Sequence, residues 1–348
     1  MGNSKWRLET SINLSIIHAQ EVGFLDNLEI IVTDWGSEIP LSSVLNLVAF
    51  AEKTVKFIHV SNSLAKSLQK DSKFPEVIAL NAAARKASGQ YIGRIDNDTI
   101  VGPEFFEKFN RIACGEQSVW FEPSNAFMFI ERRSIPYRYS SKSYPISYTY
   151  NYIKTYGSKL EIESARDWGY PFWWSPVGIM VFHKDIWKES RGYDEKLIYW
   201  GWMESDLALR LGKKCLLIDF KDVAGNFLYH LEHYPSLTSY KDRNGPATPR
   251  QKNKVKISGL NFTVNNENWG LKSQNLKLDS CKAKDILDVN NNINPLYMHK
   301  FMLMKYRFIY CKIIRNTDLL RMRLPTIFSN IKNFIKINLG KIKKILHL

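Results

Sequence analysis

The chain has 348 residues, 45% of them hydrophobic, which is the apolar content of an ordinary globular protein and room for one large domain or two modest ones. No run of about 18 uncharged apolar residues is present to span a bilayer, and the opening MGNSKWRLETS has neither the apolar core of a signal peptide nor the Ser or Thr that a myristoylation signal needs where Trp6 stands. The four cysteines, Cys114, Cys215, Cys281 and Cys311, are isolated and make no zinc spacing, so they read as reduced thiols of a cytosolic chain; the net charge of +15 invites an anionic partner.

In chain order, Leu8, Ile12, Ile16 and Ala19 fall at helical spacing. The β-branched run Leu28–Thr33, closed by Asp34, Trp35, Gly36 and Ser37, predicts a buried strand and a turn. Leu41–Glu52 predicts a helix and Val55–Val60 a second strand. Glu76–Ala87 predicts a helix with Gly89 at its C-cap, and Tyr91–Ile95 a third strand running into Asp96-Asn97-Asp98. Gly102-Pro103 opens another helix, with Pro at its first position and Glu104 complementing its dipole. Residues 120–175 are dense in aromatics and arginine and show few periods. Ile179–Phe182 predicts a strand, Met203–Leu211 a helix and Cys215–Phe220 a strand, while Asn261–Trp269 reads as a polar domain edge.

Alternating strands and helices imply an α/β domain with a mostly parallel sheet covered on both faces. Ligands in such sheets bind at the carboxyl ends of the strands. Asp34 and the Asp96/Asp98 pair both stand there and are expected to face one crevice. Two carboxylates this close repel unless a cation compensates them. Mg²⁺ or Mn²⁺ would do so, and both suit a diphosphate. Alone, the pair reads more readily as a solvated polar turn.

The flanking residues add a resemblance. NAAARKASGQYIGRIDNDTIVGPEFFE (Asn81 to Glu107) resembles the core of family 2 glycosyltransferases, and EIIVTDWGS resembles that family's second strand. The resemblance covers roughly Leu8 to Trp269 and implies a GT-A, Rossmann-like fold. It also implies a nucleotide-sugar donor, with Asp34, Asn81, Arg85 and Asp96 on the donor side and a metal on Asp96 and Asp98. Trp200 to Leu207 resembles the W-G-x-E-D-x-D-L signature of galactosyltransferase-like C-terminal halves. Aligned on its final Asp-Leu, Glu204 takes the position of the family's general base and Asp206 that of the last acid, with Met203 in place of a Glu that binds acceptor hydroxyls. A carboxylate at Glu204 would take the proton of an attacking hydroxyl; a helix-start acid that only complements the dipole is the plain reading. In Tyr229-His230-Leu231-Glu232-His233, the resemblance implies that one histidine completes the metal site, His230 by its place after Tyr229, with His233 as the rival.

Trp174, at the end of an aromatic run before Pro176 and Gly178, and Trp202 are candidate acceptor platforms together with Asp206; core packing is the plain reading of such rings. Arg132, Arg133 and Arg138 would suit a diphosphate or, more simply, a solvated face. The family opens with a strand ahead of its first helix, whereas this chain opens with the helix, so the sheet is expected to lack a central parallel strand and to bind donor poorly.

Residues 1–270 thus read as the catalytic domain and 271–348 as a basic tail. From Lys300 onward twelve Lys and Arg face one acid, Asp318. Ile327, Ile331, Ile335, Leu339, Ile342 and Leu346 interleave with lysines as in a basic amphipathic helix suited to an anionic membrane surface; packing on the domain or on a partner is the other reading. Nucleic acid is a weaker partner, since no recognised module accompanies the charge. The expectation is a metal-dependent, inverting enzyme moving a sugar from a nucleotide-sugar, UDP first, to a glycan or lipid-linked hydroxyl. It would work in the cytoplasm at the inner membrane face. A non-catalytic scaffold derived from such an enzyme is the alternative.

Overall fold

The computed structural model describes residues 5–72, 74–140, 143–163, 178–233, 252–253 and 261–282. Helix α1 (Lys5–Glu21) is followed by strand β1 (Ile30–Trp35), helices α2 (Leu41–Val44) and α3 (Ala51–Thr54), strand β2 (Val55–Val60), and helices α4 (Asn62–Gln69) and α5 (Glu76–Lys86). Strands β3 (Tyr91–Arg94) and β4 (Thr99–Val101) bracket the acid pair, and helix α6 (Pro103–Ala113) follows. Next come β5 (Ala126–Ile135), α7 (Tyr137–Ser140), α8 (Ile146–Tyr156) and β6 (Ile162–Glu163). The remaining elements are β7 (Gly178–His183), α9 (Lys184–Ser190), α10 (Met203–Leu211), β8 (Leu216–Asp219), β9 (Leu228–Leu231) and β10 (Leu278–Ser280).

Among the described residues the strands form two sheets. One has the order β1-β2-β10; the other runs β3-β7-β5-β9-β4, with β6 and β8 also paired to β5. The division falls between β1 and β3, each of which ends its sheet. Residues 278–280, beyond the expected domain edge, pair with β2. The α/β class holds, but the sheet is mixed rather than mostly parallel. Pairs β1/β2, β5/β8 and β5/β9 are parallel, while β3/β7, β5/β7, β4/β9, β5/β6 and β2/β10 are antiparallel.

The organising strand is β5. Its first half pairs with β7 and β8, and its second half, Arg132–Ile135, with β6 and β9. Ala126, Phe127, Met128, Phe129 and Ile130 are all buried. A strand covered on both faces has no alternation to show, so its pattern merged into the aromatic stretch around it.

Helix α1 explains how β4 stays in place. Strand β4 pairs with β9 on one edge. Along its main chain, Ser11 donates its hydroxyl to the Thr99 carbonyl, Ser15 Oγ accepts from Val101 N at 3.0 Å, and His18 Nδ1 lies 2.8 Å from the Val101 carbonyl. Positions i, i+4 and i+7 share one helix face, so a helix supplies polar partners that a neighbouring strand would otherwise give. Burial pushes the His18 imidazole toward its neutral form, which leaves Nδ1–H to donate. On another face, Glu9 Oε1 accepts from Asn46 N at 2.7 Å and Asn13 Oδ1 from Val48 N at 2.9 Å. That grip holds residues 46–48 out of helical geometry, and the expected single helix Leu41–Glu52 is split into α2 and α3. Helix α5 ends where Ala87 turns extended, at φ −63° and ψ 135°, rather than at Gly89.

A candidate metal and acid–base site

The site begins at Asp98, the residue before β4. The β4/β9 ladder sets Thr99 opposite His230, and Leu231 N donates to the Asp98 carbonyl at 2.9 Å. Side chains alternate along a strand, so His230 turns toward Asp98 while Tyr229 points the other way, against Gly102 and Gly157. Past β9 the chain curls back. His233 Nε2 lies 3.0 Å from Asp98 Oδ2, and His230 Nε2 stands 3.7 Å from the same oxygen, too far for a hydrogen bond. Ligand atoms of Asp98, His230 and His233 lie within 4.8 Å of one another. Asp98 Oδ1 is buried with no hydrogen-bond partner among the described residues. Burial works to raise the Asp98 carboxyl, yet His230, His233 and Arg132 outweigh it and hold it well below the usual carboxylate range. The arrangement is an acid and two imidazoles around a point that could hold a cation.

Beside it lies a cluster of opposed charges. Arg94, 7% exposed, places Nη2 at 2.7 Å from Glu76 Oε1, 2.7 Å from Asp96 Oδ1 and 3.5 Å from Glu204 Oε1. Arg132 Nη1 donates to Asp96 Oδ2 at 2.9 Å and to Thr99 Oγ1 at 3.2 Å, and stands 3.9 Å from Asp98 Oδ1. Asp96 is therefore gripped by two guanidiniums and is not a member of the Asp/His/His group. Glu204 sits in the first turn of α10 with its side chain 18% exposed. Burial pushes its carboxyl up to about 7; Arg94 pulls against this, and Glu76 and Asp96 add to it. The residues just before Glu204 are conformationally unusual: Gly201 has φ +87° and Trp202, the N-cap of α10, has φ +73°. A bulky residue in the left-handed region costs on the order of 1–3 kcal/mol and persists only where its surroundings hold it. Asn253 does so here, donating to the Tyr199 and Gly201 carbonyls at 2.5 and 2.7 Å.

Four of the expected site residues, Asp96, Asp98, Glu204 and His230, come together, and His233 joins them. Others are placed elsewhere. Asp34 Oδ2 accepts from Leu41 N at 2.8 Å and lies 3.1 Å from His59 Nδ1, its partner across the β1/β2 ladder. Asn81 is fully buried; its amide donates to the Tyr193 carbonyl at 2.9 Å and to Glu195 Oε1 at 3.0 Å, and Tyr193 N donates back to its Oδ1 at 2.9 Å. The fit is close: a Cβ at Gly192, whose φ is +70°, would stand 2.2 Å from Asn81 Oδ1. Arg85 donates to the Glu267 carbonyl at 2.7 Å and stacks 4.5 Å above the Trp269 ring. Asn81 and Arg85 thus fasten residues 265–270 to α5 through Glu195, Asn265 and Gly270. Asp206 is sealed against Arg210 at 2.8 Å with both side chains fully buried. Trp174 and the basic tail lie outside the described residues.

Glu76 and Arg94 were not singled out from the sequence. Arg94 carried a usable signal, a charge inside an otherwise apolar strand; Glu76 looked like any helix-start acid. No helix among the described residues is long and apolar enough to cross a membrane. Cys114, Cys215 and Cys281 are free thiols.

No protein-family model matches the chain, and no curated protein matches it. Among solved structures it is similar in part to the catalytic domain of Drosophila beta1,4galactosyltransferase 7 in complex with xylobiose, with 10% identity, 59% of this chain and 67% of that chain covered, and a TM-score of 0.30. An overlap that partial carries no inference about chemistry, which has to come from the side chains.

Proposed function

We propose that this chain is a metal-dependent glycosyltransferase that moves a sugar from a nucleotide-sugar donor to an acceptor hydroxyl with inversion. One observation carries the reading. An Asp98/His230/His233 group that could hold a cation and a carboxyl poised at about 7 on Glu204 flank Asp96 and Arg94 in one partly buried charge cluster. The donor set fits a divalent ion, since Asp98 Oδ1 is a buried acceptor awaiting a partner. Two imidazoles and one carboxylate suit Mn²⁺ better than Mg²⁺, which prefers an all-oxygen shell.

Bound there, such an ion would supply positive charge to neutralise a leaving diphosphate. Asp98, His230 and His233 would hold it, and Arg132 adds a fixed positive charge beside that point. Glu204 takes the proton of the acceptor hydroxyl as that oxygen attacks the anomeric carbon, and its tuned carboxyl matches the task near neutral pH. The family 2 resemblance makes UDP the nucleotide to try first, and the W-G-x-E-D-x-D-L resemblance makes galactose or N-acetylgalactosamine the first sugar. The basic residues beyond Lys300 would bring the enzyme to an anionic membrane and its lipid-linked acceptors; flotation with anionic but not neutral vesicles is the expected result.

The reading is tested by calorimetric titration of UDP with and without Mn²⁺ into the wild type and Asp98→Ala. Metal-dependent binding that is lost in the variant is expected. Absence of any binding in the wild type with Mn²⁺ present, even the weak binding expected without a first strand, would refute the donor site and favour a non-catalytic scaffold.

A further inference from the structure

We propose that Glu232 is a positioning residue for the Asp98–His230–His233 ion site, an inference that rests on the metal reading above. Glu232 lies between the two histidines in sequence and is 2% exposed, whereas the His233 side chain is 45% exposed. One oxygen of its carboxylate is held by a neighbouring helix. Oε2 accepts the amide of Tyr137, the first residue of α7, at 2.9 Å. The Glu232 amide donates to the Ile135 carbonyl at 3.2 Å, and the Glu232 carbonyl accepts the Ser140 hydroxyl at 2.5 Å. Ser140 is itself fixed from α1, where Arg7 Nη2 donates to its carbonyl at 2.8 Å.

One residue earlier, Leu231 N is tied to the Asp98 carbonyl at 2.9 Å. Both residues between the two histidines are therefore hydrogen-bonded to neighbouring segments, so the main chain that carries the imidazoles is held before any ion arrives. The Glu232 carboxylate is engaged with α7 and does not belong to the ligand-distance group, so it acts through His233 and not as a ligand. Ligand sets held this way bind tightly because little freedom is lost on coordination. An outer partner bonded directly to a metal ligand is worth about 10–100-fold in affinity; Glu232 holds the main chain beside His233, so the low end of that range applies.

The test uses Co²⁺ as probe, read by its visible absorption and by the rise in melting temperature it causes, in the full chain. Glu232→Ala is expected to weaken Co²⁺ binding at least about tenfold and to shrink the Co²⁺-induced rise in melting temperature. Glu232→Gln keeps an oxygen for the Tyr137 amide and is expected to stay within about threefold of wild type, while Ser140→Ala falls between. A purely structural role would lower the melting temperature with and without Co²⁺ by the same amount and leave the affinity alone, which overturns the proposal. So would a Gln variant as damaged as the Ala variant, since the charge and not the hydrogen bond would then matter. A wild type that takes up no Co²⁺ overturns the metal reading itself, and the proposal with it.

Discussion

Asp98 and Asp206 are both nearly inaccessible carboxylates beside cations, and both stand in acid-rich motifs. Arg210 gives Nε to Asp206 at 2.8 Å, Nη1 to the Phe262 carbonyl at 2.9 Å and Nη2 to the Gly192 carbonyl at 2.8 Å. That pair is closed, as a buried ion pair must be to offset its desolvation. Asp98 instead has an orphaned oxygen, one imidazole at hydrogen-bond distance and another beyond it. Burial alone therefore does not set the two apart; at Asp98 an unsatisfied oxygen stands beside two imidazoles, a group that could hold a cation.

The comparison can be broken at either end. The largest effect expected is on Asp206→Ala, which leaves Arg210 buried and unpaired and should cost about 3–5 kcal/mol in urea unfolding, with Mn²⁺ or without it. An unchanged midpoint would show that the pair is not structural. Next, Mn²⁺ at a hundred times its dissociation constant should stabilise the wild type by about 2.7 kcal/mol and Asp98→Ala not at all. Equal stabilisation of both would move the ion elsewhere.

Glu204 sharpens the contrast through pH. Its carboxyl sits at about 7 in the fold against 4.5 as an ordinary side chain, so the folded state prefers the protonated form. Its contribution to stability is full below 4.5 and is lost as pH rises through about 7. Glu204→Gln should thus resist urea better than the wild type at alkaline pH and equally in acid. Turnover runs the opposite way, since a base must be ionised, and should fall about tenfold per pH unit below the Glu204 value. A flat profile would remove Glu204 from the base role. The smallest effect is on Ser15→Ala, which removes the acceptor for Val101 N behind the site and should cost about 1 kcal/mol without changing Mn²⁺ affinity.

Much of the frame was legible. Strand β2 and helix α10 have the bounds that their residue patterns predict, and α6 starts at Pro103 as proline at a first helical position should. The mixed sheet was not legible, because β5 is buried on both faces and its pairing partners come from four separate strands. In the site, Asp98, Glu204 and the two histidines stood out as chemistry-bearing residues at element ends. Asn81, Arg85 and Asp206 stood out by the same resemblance, but a sequence motif does not say whether a polar group is already satisfied by a neighbour distant in the chain. Asn81 meets Tyr193 and Glu195, and Arg85 meets Glu267. The grip of Arg94 on Asp96 and Glu204 needed coordinates as well, since it joins a strand end to a helix more than a hundred residues away.

The most direct measurement is titration of Mn²⁺ followed by electron paramagnetic resonance, in the wild type, Asp98→Ala and Glu204→Gln. A single tight site in the wild type, kept in Glu204→Gln and lost in Asp98→Ala, is the predicted result. Binding that survives in Asp98→Ala, or a wild type that leaves Mn²⁺ free, would contradict the account.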